Sequence, residues 1–444
     1  MKELAFKLCD RLKNKYRLEG EVFVSKTQGT SIEISEGRCE KFNLFNDNGI
    51  GVRVLQDRKW GLSYATQLDK DPDALITSAL ENSRHNVSDE FNSLAAASPA
   101  TPAADLDIYD TAISSVGVND KLKMMQELER KALVPDKRIT KVLTAAYTDS
   151  LFQQTIVNTQ GVAVSWEETF FSCMLELKAE QDTKIQVGGD SQTKRFFSEL
   201  DLDSIIKQAT FRTVSMLGAR SGPTQKMPVV LDPYVGSEFL ALVASGVSAE
   251  SIQRKKSPFI NYLGSKISAD FVNIVDDGTM KRGIGSSPYD DEGVPTQRTA
   301  ILSGGILQGF LYDTYTAARG RTKSTGNASR GSFMGAPGVG VNNFYLEKGT
   351  QTQAELLRGV KQGLYVMEVM GMHTADPISG DFSVGVSGLW IENGQLSYPV
   401  QGVAMAGNIL ELLKNMEAVG NDLKFYGNVG CPTIKIKEMM ISGE

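Results

Sequence analysis

FSVGVSGLWIENGQLSYPVQGV, Phe382 to Val403, decides how this chain folds. Two runs of strand character, Phe382 to Ile391 and Gln395 to Val403, flank Asn393-Gly394. Both central residues of a type I′ turn need positive φ, which Asn and Gly adopt at least cost, so the pair predicts a tight hairpin. A hairpin joins antiparallel neighbours, whereas parallel neighbours need a long crossover, usually a helix. Further out, Tyr365 to Met372 and Met227 to Leu231 read as strands. Thr433 to Ile441 is another, with Ile434 and Ile436 alternating with Lys435 and Lys437. Helices are expected at Tyr234 to Arg254, Thr352 to Gly363 and Met405 to Val419. Strands and helices without a regular βαβ rhythm predict an α+β fold with mixed or antiparallel sheets.

The N-terminal half repeats one order of elements. Leu4, Leu8 and Leu12 at helical spacing predict a first helix rather than a signal peptide, because Glu3 and Asp10 interrupt the segment. Short strands are expected at Ser31 to Ser35, Phe42 to Phe45, Gly49 to Leu55 and Trp60 to Tyr64, with a hairpin loop at Asp57-Arg58-Lys59. A helix from Leu68 to Arg84 follows. The Ala/Pro-rich stretch 95–105 reads as an exposed connector. After it come a helix at Asn119 to Leu133, strands at Ile139 to Thr148, Leu151 to Val157 and Gln160 to Leu177, and a helix at Leu202 to Leu217. Helix, strands, helix therefore occurs twice, which suggests an internal duplication, although no residue-level repeat accompanies it. RSGPTQK at Arg220 to Lys226 marks the main boundary, so two α+β domains are expected, 1–221 and 222–444, with a sub-boundary at 95–105.

Composition excludes several functions. The 444 residues carry a formal charge of −6, which argues against a dedicated nucleic-acid binder. No apolar run reaches the length of a membrane span. Cys9, Cys39, Cys173 and Cys431 form no C-x-x-C pair, so idle thiols in a reducing cytoplasm are expected rather than a disulfide framework. There are only two histidines, His85 and His373. Hydrolytic zinc sites draw on two or three, and a nucleophilic triad needs one beside its Ser or Cys.

Several motifs in the C-terminal half share one resemblance. They are V-D-D-G-T at Val275 to Thr279, D-D-E-G-V-P at Asp290 to Pro295 and S-T-G-N-A at Ser324 to Ala328. S-G-D-F-S at Ser379 to Ser383, S-G-L-W-I-E-N-G at Ser387 to Gly394, M-A-G-N at Met405 to Asn408 and V-G-C-P-T-I at Val429 to Ile434 continue the series. With G-I-G-V-R-V at Gly49 to Val54 and G-L-S-Y-A at Gly61 to Ala65, their order resembles the TldD/PmbA family, whose older name is modulator of DNA gyrase.

The resemblance implies a metalloprotease context. In the TldD branch a helical H-E-x-x-x-H supplies two zinc-ligating histidines and a glutamate that takes a proton from metal-bound water. In the PmbA, or TldE, branch those residues are missing. Counting back from Val275, the motif falls on LALVAS, with Leu240 and Ser245 at the histidine positions and Ala241 at the glutamate position. None can replace its counterpart as ligand or base. No cysteine stands at Gly420 to Leu423, where a third ligand is expected. The resemblance therefore implies no metal and no catalytic residue in this chain. It implies zinc in a TldD-type partner, and peptide or unfolded-protein substrates. A homodimeric peptide-binding or regulatory protein is the alternative.

Candidate peptide- or partner-facing residues are Ser324, Thr325, Gly326 and Asn327, followed by a glycine-rich segment to Gly340, together with His373, Gly380 and Asp381. Each has a plainer reading: a surface loop, a polar loop residue, an interior strand. A strand after Gly380-Asp381 with a free edge would bind extended peptide through its backbone. Asp290-Asp291-Glu292 reads either as a Mg²⁺ or Ca²⁺ site or as a solvated loop. His85 reads as a helix-end residue complementing the dipole.

Overall fold

A computed structural model describes residues 2–66, 72–98 and 105–443. The first half forms one six-stranded sheet from β1 (Glu19–Ser35), β2 (Arg38–Gln56), β3 (Lys59–Ala65), β4 (Ile139–Asn158), β5 (Ala163–Gln181) and β6 (Lys184–Lys194). Its order is β3-β2-β1-β4-β5-β6, and every pairing is antiparallel. The two triplets are thus mirrored about the β1–β4 seam, which gives the repeated order of elements a topological form. Helices α1 (Lys2–Asp10) and α2 (Pro72–Arg84) flank the first triplet. The short α3 (Ala112–Ser115), α4 (Val118–Ala132) and α5 (Leu202–Val214) accompany the second.

One strand feeds both cores. Val22 and Val24 of β1 pack with Ile50, Val52, Leu8 and Ile76 in the first. Ile32 and Ile34 pack with Leu128, Tyr147, Phe171 and Ile205 in the second. Between them residues 25–29 are polar or glycine and only half-buried. That polar middle breaks the alternation, so the sequence reads as separate short strands where the chain runs unbroken for 17 residues in β1 and 20 in β4. At the crossing, buried Asp149 accepts from Thr30 N (3.0 Å) and Tyr147 Oη (2.8 Å) and pairs with Lys121 at 2.5 Å.

The second half holds two more sheets. One comprises β7 (Gln225–Leu231), β14 (Gln362–Met370), β15 (Asp381–Glu392), β16 (Gln395–Asn408), β17 (Met416–Val419) and β20 (Ile434–Ser442). Its order is β16-β15-β14-β7-β20-β17, and an added β16–β20 pairing closes it on itself. The other comprises β8 (Ile274–Asp277), β9 (Arg298–Ser303), β10 (Ile306–Leu307), β13 (Phe344–Leu346), β18 (Lys424–Tyr426) and β19 (Val429–Cys431), with a two-stranded β11 (Ala328–Ser329) and β12 (Gly338–Val339) beside it. Helix α6 (Pro233–Gly246) buries Val235, Phe239, Leu240 and Val243 in the shared core. Helices α7 (Ala249–Gln253), α8 (Thr314–Gly320), α9 (Gln353–Arg358) and α10 (Ile409–Lys414) are short. The architecture is mixed α+β.

Asn393 (φ 50°) and Gly394 (φ 79°) both take the positive φ that the predicted hairpin needs. Other expectations fail for local reasons. The helix predicted from Tyr234 to Arg254 breaks after Gly246, because the backbone at Val247 and Ala249 bonds to Leu311 instead. Met405 to Asn408 extends β16, since Met405 is clamped between Val384 and Ile441. Asn408 then caps α10 through Leu410 N (2.9 Å), so the predicted 405–419 helix shrinks to one turn and a half. In the Ala/Pro stretch, Ala95 is buried and its carbonyl accepts from Asn158 Nδ2 at 2.8 Å, so that part is packed rather than exposed. Residues 99–104, and Leu68 at the predicted start of α2, lie outside the described residues.

Candidate functional site

The two halves meet around Asp232, the residue before α6. Its Oδ1 caps the helix by accepting from Tyr234 N (3.0 Å) and also receives Arg212 Nη2 (2.6 Å) from α5. Its Oδ2 accepts from Tyr365 Oη (2.6 Å), which in turn accepts from Gln353 Nε2 (2.6 Å). Arg212 Nη1 also donates to Met367 O at 3.0 Å, so one guanidinium ties the first half's last helix to β14 and α6. Burial raises the Tyr365 hydroxyl well above its ordinary pKa, and the neighbouring Asp232 raises it further.

Beside this knot the outer edge of β6 has no partner strand among the described residues. It lines a cleft of about 630 Å³, faced by loop 280–284 and by β18. Asp190, Ser191 and Tyr426 are shared with an adjoining cavity of about 320 Å³, whose far wall carries Tyr234, Glu368 and Met370. Tyr234 and Tyr426 meet edge to face at 5.3 Å. Asp190 is pushed up to about 6 by burial, against the opposing pull of Arg212 and Lys424. A free strand edge beside an elongated cleft can take an extended chain through backbone hydrogen bonds.

The three positions expected to carry a degenerate metal motif do not converge. Leu240 is buried in the core, while Ala241 and Ser245 face solvent. Cys431 is packed beneath Gly236 of the same helix, and its thiol donates to Pro432 O at 3.1 Å. Burial raises that thiol well above its usual range. Among the described residues no group of three or more His, Cys, Asp or Glu is placed to hold a metal ion.

The S-T-G-N loop is stitched inward. Ser324 Oγ donates to Tyr312 O (3.1 Å), Tyr312 N donates to Thr325 Oγ1 (2.8 Å), and Thr325 Oγ1 donates to Asn327 Oδ1 (2.7 Å). Gly326 has φ 71° and lies against the Pro295 carbonyl, where a Cβ would come within 2.6 Å. Asn327 donates to buried Asp276 at 2.7 Å. Of these four, only Asn327 lines one of the described cavities, a small one walled also by Gln154 and Trp166.

His373 sits exposed in a single 3-10 turn, and exposed His85 lies 3.8 Å from Glu81. Gly380 (φ 80°) packs on Ile409, and Asp381 accepts from Asn408 Nδ2 at 2.8 Å. β15 is paired on both sides, by β14 and β16, so it offers no free edge. The free edge beside the Asp232 knot belongs to β6, which sequence reasoning missed. Its KIQVGGDSQTK has a Gly pair where a strand pattern would continue, and Gly188 is there because a Cβ would sit 2.9 Å from Thr213 Oγ1 of α5.

Asp290-Asp291-Glu292 is not arranged to hold Mg²⁺ or Ca²⁺. Asp290 Oδ1 accepts from Glu292 N and Val294 N, both at 2.9 Å, and Oδ2 accepts from Ala328 N at 3.0 Å. Glu292 receives Arg53 (3.2 Å) and Thr314 N (2.9 Å).

Sequence models of three successive domains match the chain: PmbA/TldA metallopeptidase domain 1 over residues 20–84, the central domain over 112–217 and the C-terminal domain over 224–443. Metalloprotease PmbA of Escherichia coli O157:H7 is 28% identical, with 96% of this chain and 92% of that protein covered. A metalloprotease TldD homolog of Haemophilus influenzae is 25% identical over 95% of this chain and 92% of its own length. Among solved structures, a candidate modulator of a DNA gyrase from Thermotoga maritima superposes with a TM-score of 0.91 at 26% identity, covering 99% of both chains. TldE from Thermococcus kodakarensis shares the fold, with a TM-score of 0.85 at 22% identity over 99% of this chain and all of that one.

Proposed function

The chain belongs to the PmbA/TldD family of metallopeptidases, and on that premise we propose that it is the subunit without metal in a two-chain cytoplasmic metalloprotease acting on leader peptides or small unfolded proteins. The observation that carries this reading is α6. A zinc ion needs convergent His, Cys or carboxylate donors, and this helix offers a buried Leu240 and solvent-facing Ala241 and Ser245. The two histidines stand on separate exposed turns, and Cys431 is committed to packing. The residues present do not fit the metal, so no hydrolytic step is assigned to them.

What persists is a binding surface. The free edge of β6, the cleft beside it and the Arg212–Asp232–Tyr365 knot form a rigid wall along which an extended peptide can lie. A partner with the H-E-x-x-x-H helix would supply metal and base. No helix among the described residues is long and apolar enough to cross a membrane.

The test is reconstitution. The chain alone should leave casein fragments and unstructured peptides intact. Mixed with an H-E-x-x-x-H homologue from the same organism, it should yield proteolysis that a chelator abolishes. Cleavage by this chain alone at a comparable rate, indifferent to chelator, would overturn the proposal. Peptide binding by a stable homodimer, with no cleavage after mixing, would favour the regulatory alternative.

A further inference from the structure

A third, smaller cavity opens on the face of the first sheet that α4 and α5 leave uncovered. It measures about 180 Å³ and lies between Gln154, Trp166 and Glu168 on one side and Asp290, Asp291 and Asn342 on the other. Sites for drug-sized ligands run to roughly 300–1,000 Å³, so this one suits an end group rather than a chain passing through. It shares Ile284 with the larger cleft beside β6. Arg195 fixes the loop between the two cavities by donating to Gly283 O (3.0 Å), Ile284 O (2.7 Å) and Ser286 O (2.8 Å).

Two buried polar atoms here lack partners: Trp166 Nε1, on a side chain 8% exposed, and Gln154 Oε1. An unmet donor and an unmet acceptor side by side are costly unless something supplies the complement. The surrounding charge is unbalanced as well. Glu168, Asp290 and Asp291 line the cavity; Arg195 pairs with Glu168, and Arg330 donates its backbone N to Asp291 Oδ2 and its Nε to Asp291 O. Asp290 is occupied by three backbone N–H groups, whereas Asp291 receives Arg330 N on Oδ2 (2.7 Å) and lines the cavity. The site therefore asks for a ligand that brings positive N–H donors and one acceptor within a single residue's length.

We propose that this cavity is a subsite for the amino-terminal residue of a peptide. The α-ammonium donates to Asp291 and Gln154 Oε1, and the first carbonyl accepts from Trp166 Nε1. A carboxylate end is disfavoured by the surplus of acids. This rests on the peptide-binding reading, with the rest of the chain leaving past Ile284 into the cleft along β6.

The experiment is titration calorimetry on the full chain with four probes: alanyl-alanine amide, its N-acetyl form, and a 12-residue unstructured peptide with free and acetylated amino ends. The free dipeptide amide should bind, and acetylation should weaken binding at least 10-fold. Trp166→Phe, which keeps the ring and removes the donor, and Asp291→Asn should each weaken it roughly 5- to 10-fold. If long peptides bind regardless of acetylation, the subsite is refuted and the cleft reading stands. If the dipeptide amide binds and the long peptide does not, the subsite stands and the cleft reading falls. If neither binds, both fall.

Discussion

Replacing Arg195 by methionine tests how the two halves are held together. The side chain is fully buried, stacks 4.0 Å above Phe170, pairs with Glu168 at 2.8 Å and donates to three carbonyls of loop 283–286. Removing one member of a buried pair costs about 3–5 kcal/mol, because the other charge is stranded. Each carbonyl that loses its donor adds about 1 kcal/mol. Arg195→Met should therefore cost about 6–8 kcal/mol, comparable with the ~5–15 kcal/mol that holds a typical domain together. Much of that loss lies in the stranded carboxylate. Burial already raises the Glu168 pKa against the pull of Arg195, so Glu168→Gln added to Arg195→Met should recover about 2 kcal/mol or more. Urea denaturation followed by tryptophan fluorescence measures both variants, since Trp166 lies in the wall beside Glu168. A single variant that loses less than about 1 kcal/mol, or a double variant no more stable than the single, would refute the reasoning.

Three further outcomes are expected. Asp190, Asp276 and Asp291 all sit near a pKa of about 6, chiefly through burial, so the folded state holds protons that the unfolded state has already released. Stability should rise as pH falls from 7 to 5.5, by about 0.8 kcal/mol per group and about 2 kcal/mol at most in sum, as Asp190 and Asp291 are partly open to solvent. A melting temperature that drops over that window contradicts it. Ser245→Ala and His373→Ala should change the activity of a reconstituted complex by less than about twofold, because both side chains are exposed to solvent. Replacing the partner's motif glutamate should abolish activity, and a large loss from either variant here would locate chemistry in this chain. Light scattering at micromolar concentration should report about twice 48.4 kDa, for the chain alone as a homodimer or for its mixture with a TldD-type partner as a heterodimer, and a monomer at all concentrations in both samples would count against a two-chain assembly.

The sequence was most readable where local chemistry decides the outcome. Asn393-Gly394 specifies its turn through φ alone, and α4 shows its stripe because one face meets a single core. β1 and β4 were cut short because the alternation lapses where they pass from one core to the other, although hydrogen bonding continues. M-A-G-N was read as helical because small apolar residues do not reveal a strand clamped between two others. The candidate site was the least readable part. Arg195, Arg212, Asp232 and Asp291 look like surface charges in the sequence, and only the fold buries them against partners far along the chain. The expectation of a degenerate motif at Leu240, Ala241 and Ser245 of α6 rested on residue type alone, which needs no structure to read.

The seam between β1 and β4 carries one more consequence. From Glu21 opposite Asn158 to Ile34 opposite Ala145, the triplets are joined strand against strand, each with its own helices, while Ile32 and Ile34 of β1 reach into the second core and Val157 of β4 into the first. Nothing in that pairing requires both triplets to belong to the same molecule. The link between α2 and α3 is anchored on the second triplet, where Asn158 Nδ2 donates to Ala95 O and Thr169 N donates to Ile108 O. A gene cut within that link and expressed as two pieces should rebuild the same sheet.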